Sequence, residues 1–476
     1  MRTLLLTIGL LAVTTSASAA GPLPANRGDP IATSDYSVDL FQGPTLASAR
    51  ITALGGAYTA VAEGAEGIPF NPAAASLRYP SSTTYTDWDL TAGLTLASTL
   101  KSTDFDNNGD ASFNRSQQDF YFANFGGYVQ QGHLAIGLLV SVQNYGISQN
   151  PILRIVQPNT PGSPAVPDKG TERIDVRFYK LDPVVSYGFF DDQLHIGAGM
   201  RVIYLQFAGD LADVDRNGAL GSTTQETDLF TNWALGGQAG VLWAPYAHPI
   251  RIGGAVRSPL AATGGQFGGG LKASPEGDVI AGTTYLPNVA QLPWEVEAGA
   301  TVQLWERPLN IQWQDEDQVP VPDTERWRQT KNGMIEPPYK GARRILKKKY
   351  RELPRQKVML TSSALLSGPV PNAVGVESML TGKLERSGQD ISFTLRGGAE
   401  AEVIPYWLVL RAGSYYEPSR FRHSSARVHG TGGFQMRLFK WDAFGIGDEN
   451  TIWRVSGAID AARDYFAWSL GIGVFM

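Results

Sequence analysis

Past Pro80 the chain alternates. From 464 to 476, Phe466, Trp468, Leu470, Ile472 and Val474 share one parity, and Ala467, Ser469, Gly471 and Gly473 share the other. Period two marks an extended strand with unlike faces. Bulky apolar residues opposite small ones suit a wall between lipid and a crowded interior. The pattern returns in Leu134, Ile136, Leu138 and Val140, and in Trp294, Val296, Ala298, Ala300 and Val302. It recurs in Ile391, Phe393 and Leu395, and in Trp453, Val455 and Ile459. Tight turns fall near Gln131-Gly132, Asp191-Asp192, Pro245–Pro249, Arg307-Pro308 and Ile404-Pro405. Long irregular stretches lie between them at 101–117, 148–172, 208–228, 258–292 and 314–388. Alternating short and long connections belong to an outer-membrane barrel; a sandwich has no reason to keep them.

The pattern predicts an all-β, transmembrane antiparallel barrel. Its strands fall at 83–98, 118–130, 133–146, 173–190, 193–207, 229–244, 249–257, 293–305, 308–314, 390–404, 406–416, 426–439, 451–462 and 464–476. Fourteen is even, which places both termini on the periplasmic side. Residues 358–366 and 373–381 also alternate, around the turn GPVPN. They form an extracellular hairpin or raise the count to sixteen; fourteen is the preferred reading.

The opposite faces carry charge of both signs: Arg251, Arg257, Glu295, Glu297, Arg396, Glu400, Glu402, Arg427, His429, Arg437, Arg454 and Asp460. The expectation is a lumen of ion pairs holding a plug, in which Arg251, Arg257, Glu295, Glu297, Arg396, Glu400, Arg437 and Arg454 are candidates to meet a ligand. An arginine there can pair with a substrate carboxylate. The i, i+2 carboxylates Glu295/Glu297 and Glu400/Glu402 lack a partner nucleophile and read as lumen ion pairs.

Composition sharpens the address. Arg2, an apolar run from Leu4 to Val13 and the small residues SASAA read as a secretory signal peptide over 1–19, cleaved after Ala19. No later run approaches the ~18 apolar residues of a membrane helix. Cysteine is absent, so thiol chemistry and disulfides are excluded. A net charge of −5 argues against nucleic acid as a partner. Fifty-three glycines, eleven tryptophans and eighteen tyrosines, with a mean hydropathy of −0.15, fit a barrel whose lipid-facing and lumen-facing residues alternate.

Ahead of the strands lies ARITALGGAYTAVAEGAEGIPFNPAAAS, residues 49–76. Gly55 and Gly56 permit close backbone approach, and Asn71-Pro72 forces an extended residue at 71. The segment is too small for a domain and suits a cavity filler. Its core, GGAYTAVAEGAEGIPFNPAAAS, resembles the N-terminal hatch of the FadL family of outer-membrane transporters. HPIRIGGAVRSPLAATGG, LPWEVEAGATVQL and LRAGSYYEPSRF also resemble that family's strands and loops. The likeness omits 314–388, and Met476 stands where such barrels end on an aromatic residue.

The resemblance implies a hatch over 20–80, with Gly55, Gly56, Asn71 and Pro72 carried over by motif, inside a barrel formed by 81–476. It implies passive uptake of hydrophobic small molecules, such as long-chain fatty acids or hydrocarbons, with no required cofactor. Ligand leaves through a gap in the wall, for which Gly126-Gly127 and Gly146 are the glycine-weakened candidates.

Two loops carry oxygen ligands in calcium-loop order. One holds Asp104, Asp106 and Asn108; the other holds Asp213, Asp215 and Asn217. Neither has the glutamate of position twelve, which is Arg115 in one and Thr224 in the other. The basic run Arg343, Arg344, Lys347, Lys348, Lys349, Arg351, Arg355 and Lys357 falls in the long insertion at 314–388, expected outside the cell beside lipopolysaccharide phosphates. That insertion also suits a protein partner, so an interaction platform for secretion or surface attachment is the alternative. No nucleophile-elbow, zincin or phosphate-loop motif is present, and no catalytic residue is assigned; a barrel lipid hydrolase ranks last.

Overall fold

The computed structural model describes residues 23–475, apart from 42, 80–81, 83, 98–102, 111–119, 149–151, 157–165, 171–172, 211–225, 247, 264–265, 268–279, 282–283, 328–334, 336 and 441–451. Fourteen antiparallel strands close into one ring. They are β1 Thr86–Ala97, β2 Tyr121–Gln131, β3 Leu134–Ser148, β4 Arg173–Phe189, β5 Leu194–Asp210, β6 Glu226–Trp243 and β7 Ile250–Arg257. The ring continues with β8 Glu295–Leu304, β9 Val358–Ser367, β10 Ser392–Ile404, β11 Leu408–Glu417, β12 Arg427–Lys440, β13 Ile452–Ala462 and β14 Tyr465–Phe475. Each strand pairs with its sequence neighbours, and β14 closes on β1 from Asp89↔Phe475 to Ala97↔Ala467.

The two faces follow the parity read from the sequence. Phe125, Ile136, Val185, Ile252, Phe393, Ile459 and Leu470 are exposed on the outer face, while Arg251, Glu297, Glu400, His429 and Asp460 are buried inside. Each large apolar side chain left in water forfeits about 1.5–3 kcal/mol. A continuous belt of them far exceeds the few hundred Å² that soluble surfaces tolerate. At the end bearing the tight turns, Tyr85, Phe190, Trp243, Trp305 and Trp407 form an exposed aromatic rim, as barrels do where hydrocarbon gives way to headgroups.

Three expectations need correction. The ninth strand is β9, not 308–314; residues 358–366 join the wall as one of its fourteen members. Pro308 has no N–H to give a ladder. Asn310 instead donates its side-chain amide to Pro245 O (2.8 Å) and Ile250 O (2.8 Å), turning 307–313 into a strap across the barrel mouth. As a result, the insertion at 314–388 is divided between the two ends of the barrel. Residues 305–357 join β8 to β9 at the tight-turn end, and only 368–391 lies at the long-loop end. The basic run therefore stands at the end opposite to the one expected.

The third correction concerns the N-terminus. Ser37–Asp39 pairs in parallel with Val289–Leu292 and Ala373–Gly375, both in long-loop connections. Asp39 also meets Arg420 at 2.6 Å, beyond the loop end of β11. From residue 23 the described chain thus runs from the loop end down through the lumen and enters the wall at the turn end. Only its C-terminus, at Phe475, lies at the turn end as expected.

Inside the ring, 49–79 forms a plug. The helix α1, Ala49–Ala53, packs on β11 to β14, while the 3-10 turn Pro72–Ser76 packs on β2 to β6. Gly55 and Gly56, at φ +63° and +75°, turn the chain sharply after α1. Asn71, extended at φ −152°, caps the next turn, its Oδ1 accepting Ala73 N–H at 3.0 Å with Pro72 at the first position. Its Nδ2 ties the plug to the wall through Val241 O (3.1 Å).

The wall makes room where the plug backbone arrives. A Cβ on Gly240 would stand 2.1 Å from Asn71 Oδ1, and one on Gly413 would stand 2.5 Å from Gly55 N. Inward threonines do the fastening: Thr361 and Thr431 donate to Ala57 O (2.9 Å) and Ala53 O (3.1 Å).

Candidate ligand-binding site

The predicted lumen charges separate into two groups, one on each side of the plug. On the turn side, Arg251 donates to Glu63 (2.8 Å), Val61 O (3.0 Å) and Asn310 Oδ1 (2.8 Å), so one guanidinium holds plug, wall and strap together. Arg50 continues the chain, to Glu63 at 2.8 Å and Glu400 at 3.5 Å, and Glu400 meets Arg411 at 2.6 Å. Arg454 bridges Tyr79 (2.7 Å) and Asp89 (3.2 Å). Phe475, on the inward parity, packs on Tyr79 with ring centroids 4.8 Å apart. Arg437 lines the same side without an ion pair among the described residues. Burial would raise the Glu63 carboxyl, but Arg251 and Arg50 outweigh it and hold it down at about 2.

On the loop side, Arg257 grips the plug through Pro69 O and Phe70 O (2.8 Å each) and reaches Glu295 (3.3 Å) and Glu297 (3.1 Å). Arg396 shares Glu297 at 2.9 Å. Between this network and the descending N-terminal segment lies a cavity of about 150 Å³. Leu40, Phe41, Leu46, Phe178 and Leu292 give it apolar sides. Lys180 and Arg201 enter from β4 and β5. Lys180 has no hydrogen bond or ion pair among the described residues, and Arg201, nine-tenths buried, holds only a 3.9 Å approach to Asp182 and leaves Nη1 unpartnered.

Buried donors without acceptors are costly, about 1–3 kcal/mol each. A concave site with apolar walls and a few converging polar groups is the usual form of a small-molecule site. The cavity sets Lys180 and Arg201 beside apolar side chains and beside Glu295 and Glu297, which are paired with Arg257 and Arg396. The charges visible in the sequence mostly hold the plug. The two without a close partner, Lys180 and Arg201, were missed, although inward parity with Phe178 and Asp182 carried the signal.

The wall is interrupted beside this cavity. The β4–β5 ladder stops at Leu181↔Val202 and resumes at Val184↔Gly199. Pro183 cannot donate to a ladder, and the side-chain amide of Gln238 approaches the neighbouring Met200 O at 3.5 Å. By contrast, Gly126 and Gly127 sit in unbroken pairing with β1 and β3, and Gly146 pairs with Asp175, so the glycine candidates mark no break.

The first acidic loop is closed on itself. Asp104 accepts Asn108 N–H (3.0 Å) and Gly109 N–H (2.8 Å), and Asn108 donates to Glu377 and Glu385 (3.1 Å each). Asp106 lies beside Gly375. No group of three His, Asp or Glu among the described residues is placed to hold a metal ion. Asp213, Asp215 and Asn217 fall outside the described residues. A buried trio, Ser76, Ser186 and His195, links plug to wall at 2.6 and 3.0 Å.

No protein-family profile and no curated protein matches the sequence. Solved structures of similar fold do. A Pseudomonas aeruginosa FadL homologue is 12% identical with a TM-score of 0.46, over 91% of this chain and 99% of its own. The P. putida toluene transporter TodX is 10% identical with a TM-score of 0.45, over 91% and 98%. The CymD monoaromatic hydrocarbon channel is 11% identical with a TM-score of 0.47, over 91% and 97%. The likeness is one of fold.

Proposed function

We propose that the protein is an outer-membrane channel for the passive uptake of hydrophobic small molecules bearing an anionic head, of which long-chain fatty acids are the simplest. The observation that carries this reading is the cavity above the plug, where Lys180 has no hydrogen bond or ion pair among the described residues and Arg201 leaves Nη1 unpartnered, beside apolar side chains and the already paired Glu295 and Glu297. A neutral hydrocarbon would satisfy those apolar side chains and leave both cations unpaired. A carboxylate satisfies both, through charge-assisted hydrogen bonds about twice as strong as neutral ones.

The plug bars a straight aqueous path, and the strap 307–313 lies beneath it. The gap in the β4–β5 ladder at Pro183, next to Asp182 and Arg201, supports a route from the cavity to the bilayer at that point. In this reading the tail enters first along the apolar side of the cavity, the head rests on Lys180 and Arg201, and exit is sideways between β4 and β5. Mass spectrometry of material extracted from the purified chain tests the ligand class. Long-chain acids are expected; an extract free of amphiphilic acids, with neutral hydrocarbon in their place, contradicts the anionic-head reading.

A further inference from the structure

Between Pro338 and Lys357 the chain has nine basic residues and one acidic one. Some of this charge is spent internally. Arg343 and Arg344, on the helix α3 Pro338–Arg351, bind Glu316 and Glu325, the latter on α2 Asp323–Arg326. Lys340 stands at the N-terminal end of α3, Lys349 donates to Gln314 Oε1 at 3.2 Å, and the rest gathers toward the C-terminal end of α3, where the module meets the barrel. Tyr406, in the β10–β11 turn, donates to Arg351 O at 2.8 Å, Arg355 donates to Val403 O at 3.2 Å, and Lys357 stands 5.8 Å over the Trp305 ring. Lys348, Lys349, Arg351, Arg355 and Lys357 are all exposed. Lys348 makes only a 3.9 Å contact with Glu352, both side chains being mostly exposed, an arrangement of little energetic weight.

The surface beside these cations is not ordinary solvent-facing protein. Val403, Ile404, Trp305 and Trp407 are exposed on the wall at this same edge, within the aromatic rim that marks the end of the hydrocarbon zone. Cations with long alkyl stems, set against aromatic rings at that level, lie where phospholipid headgroups lie.

We infer that this edge, from Lys348 to Lys357, is a binding surface for the anionic phospholipid headgroups of the leaflet that meets the turn end. The inference rests on the membrane reading of the wall. A protein partner is the weaker occupant, since it would have to displace the bilayer from Trp305 and Trp407 to reach Lys357 and Arg355. Each cation close to an anionic bilayer surface contributes roughly a fivefold gain in affinity, so five of them select anionic over zwitterionic lipid.

The full chain is reconstituted in nanodiscs of phosphatidylcholine containing a minority of phosphatidylglycerol, and the lipids retained after gentle detergent extraction are counted by native mass spectrometry. The comparison chain carries Lys348→Gln, Lys349→Gln, Arg351→Gln, Arg355→Gln and Lys357→Gln, all at exposed positions; heat-modifiable electrophoretic mobility reports its folding. The native chain is expected to retain phosphatidylglycerol enriched about tenfold or more over the bilayer ratio, and the variant at the bilayer ratio. Equal enrichment in both chains, or none in the native chain, overturns the inference. So does stable capture of an acidic periplasmic protein at this edge with no lipid preference. A folded chain that will not enter nanodiscs overturns the membrane reading itself, and is seen before any lipid is counted.

Discussion

The two sides of the plug are built from the same residue types and differ in which cations they leave without a close carboxylate. On the turn side Arg50, Arg251, Arg411 and Arg454 each share a carboxylate at 2.6–3.2 Å. On the loop side Lys180 has no such partner and Arg201 has only a distant one. Removing one partner of a buried ion pair strands a charge at a cost of about 3–5 kcal/mol. The turn-side network is therefore a fastening, shared on the loop side by Arg257 and Arg396, whereas Lys180 and Arg201 are the cations proposed to meet a ligand. What separates scaffold from candidate site on the loop side is how the carboxylates are shared: Glu295 lies within ion-pair distance of Arg257, and Glu297 of Arg257 and Arg396, and neither of Lys180 or Arg201.

That contrast can be broken by mutation. Arg251→Ala should have the largest effect, about 3–5 kcal/mol, because it leaves Glu63 with Arg50 as its one remaining cation among the described residues and releases Val61 and Asn310 together. A lowered thermal midpoint in detergent, with faster hydrogen exchange across 49–79, is the expected readout. Lys180→Ala with Arg201→Ala should leave that midpoint unchanged or higher, since it removes unpaired charge. It should weaken long-chain acid binding by tenfold or more, at about 1.5–3 kcal/mol per charged hydrogen bond, as measured by calorimetry.

Gly240→Ala should follow, at about 1–3 kcal/mol for overpacking, because the new methyl meets Asn71 Oδ1. Gly237→Ala has nothing within 4 Å and serves as the control. Acid should have the smallest effect over the ordinary range. The Glu63 carboxyl lies at about 2 in the folded chain against about 4.3 unfolded. Its contribution is thus complete above the unfolded value and is lost as pH falls toward 2. Exchange protection of the plug should hold from pH 7 to pH 5 and decline only below about 4. Loss of protection between pH 7 and pH 5 would place the fastening elsewhere.

Much of the wall was legible because period two survives wherever one face meets lipid, as in β14 and β3. The ninth strand was misplaced because Ile311 and Trp313 imitate the alternation, while the rule of short turns hid a long connection at the turn end. In the strap, Trp313 faces the Arg78 guanidinium at 4.3 Å, a contact that no local pattern announces. Parity found the inward charges but not their partners: Glu63 and Arg251 are far apart in sequence, and only the closed ring brings them together. The wall break escaped notice because it needs Pro183 and its neighbour across the ladder, not a glycine.

The central claim is that the loop-side cavity recognises an anionic head. The direct test is calorimetric binding of a long-chain fatty acid and of the alcohol of equal length to the full chain in detergent. The acid should bind about tenfold or more tightly than the alcohol, and Lys180→Ala with Arg201→Ala should erase the difference. Equal affinity of acid and alcohol for the native chain would contradict the account.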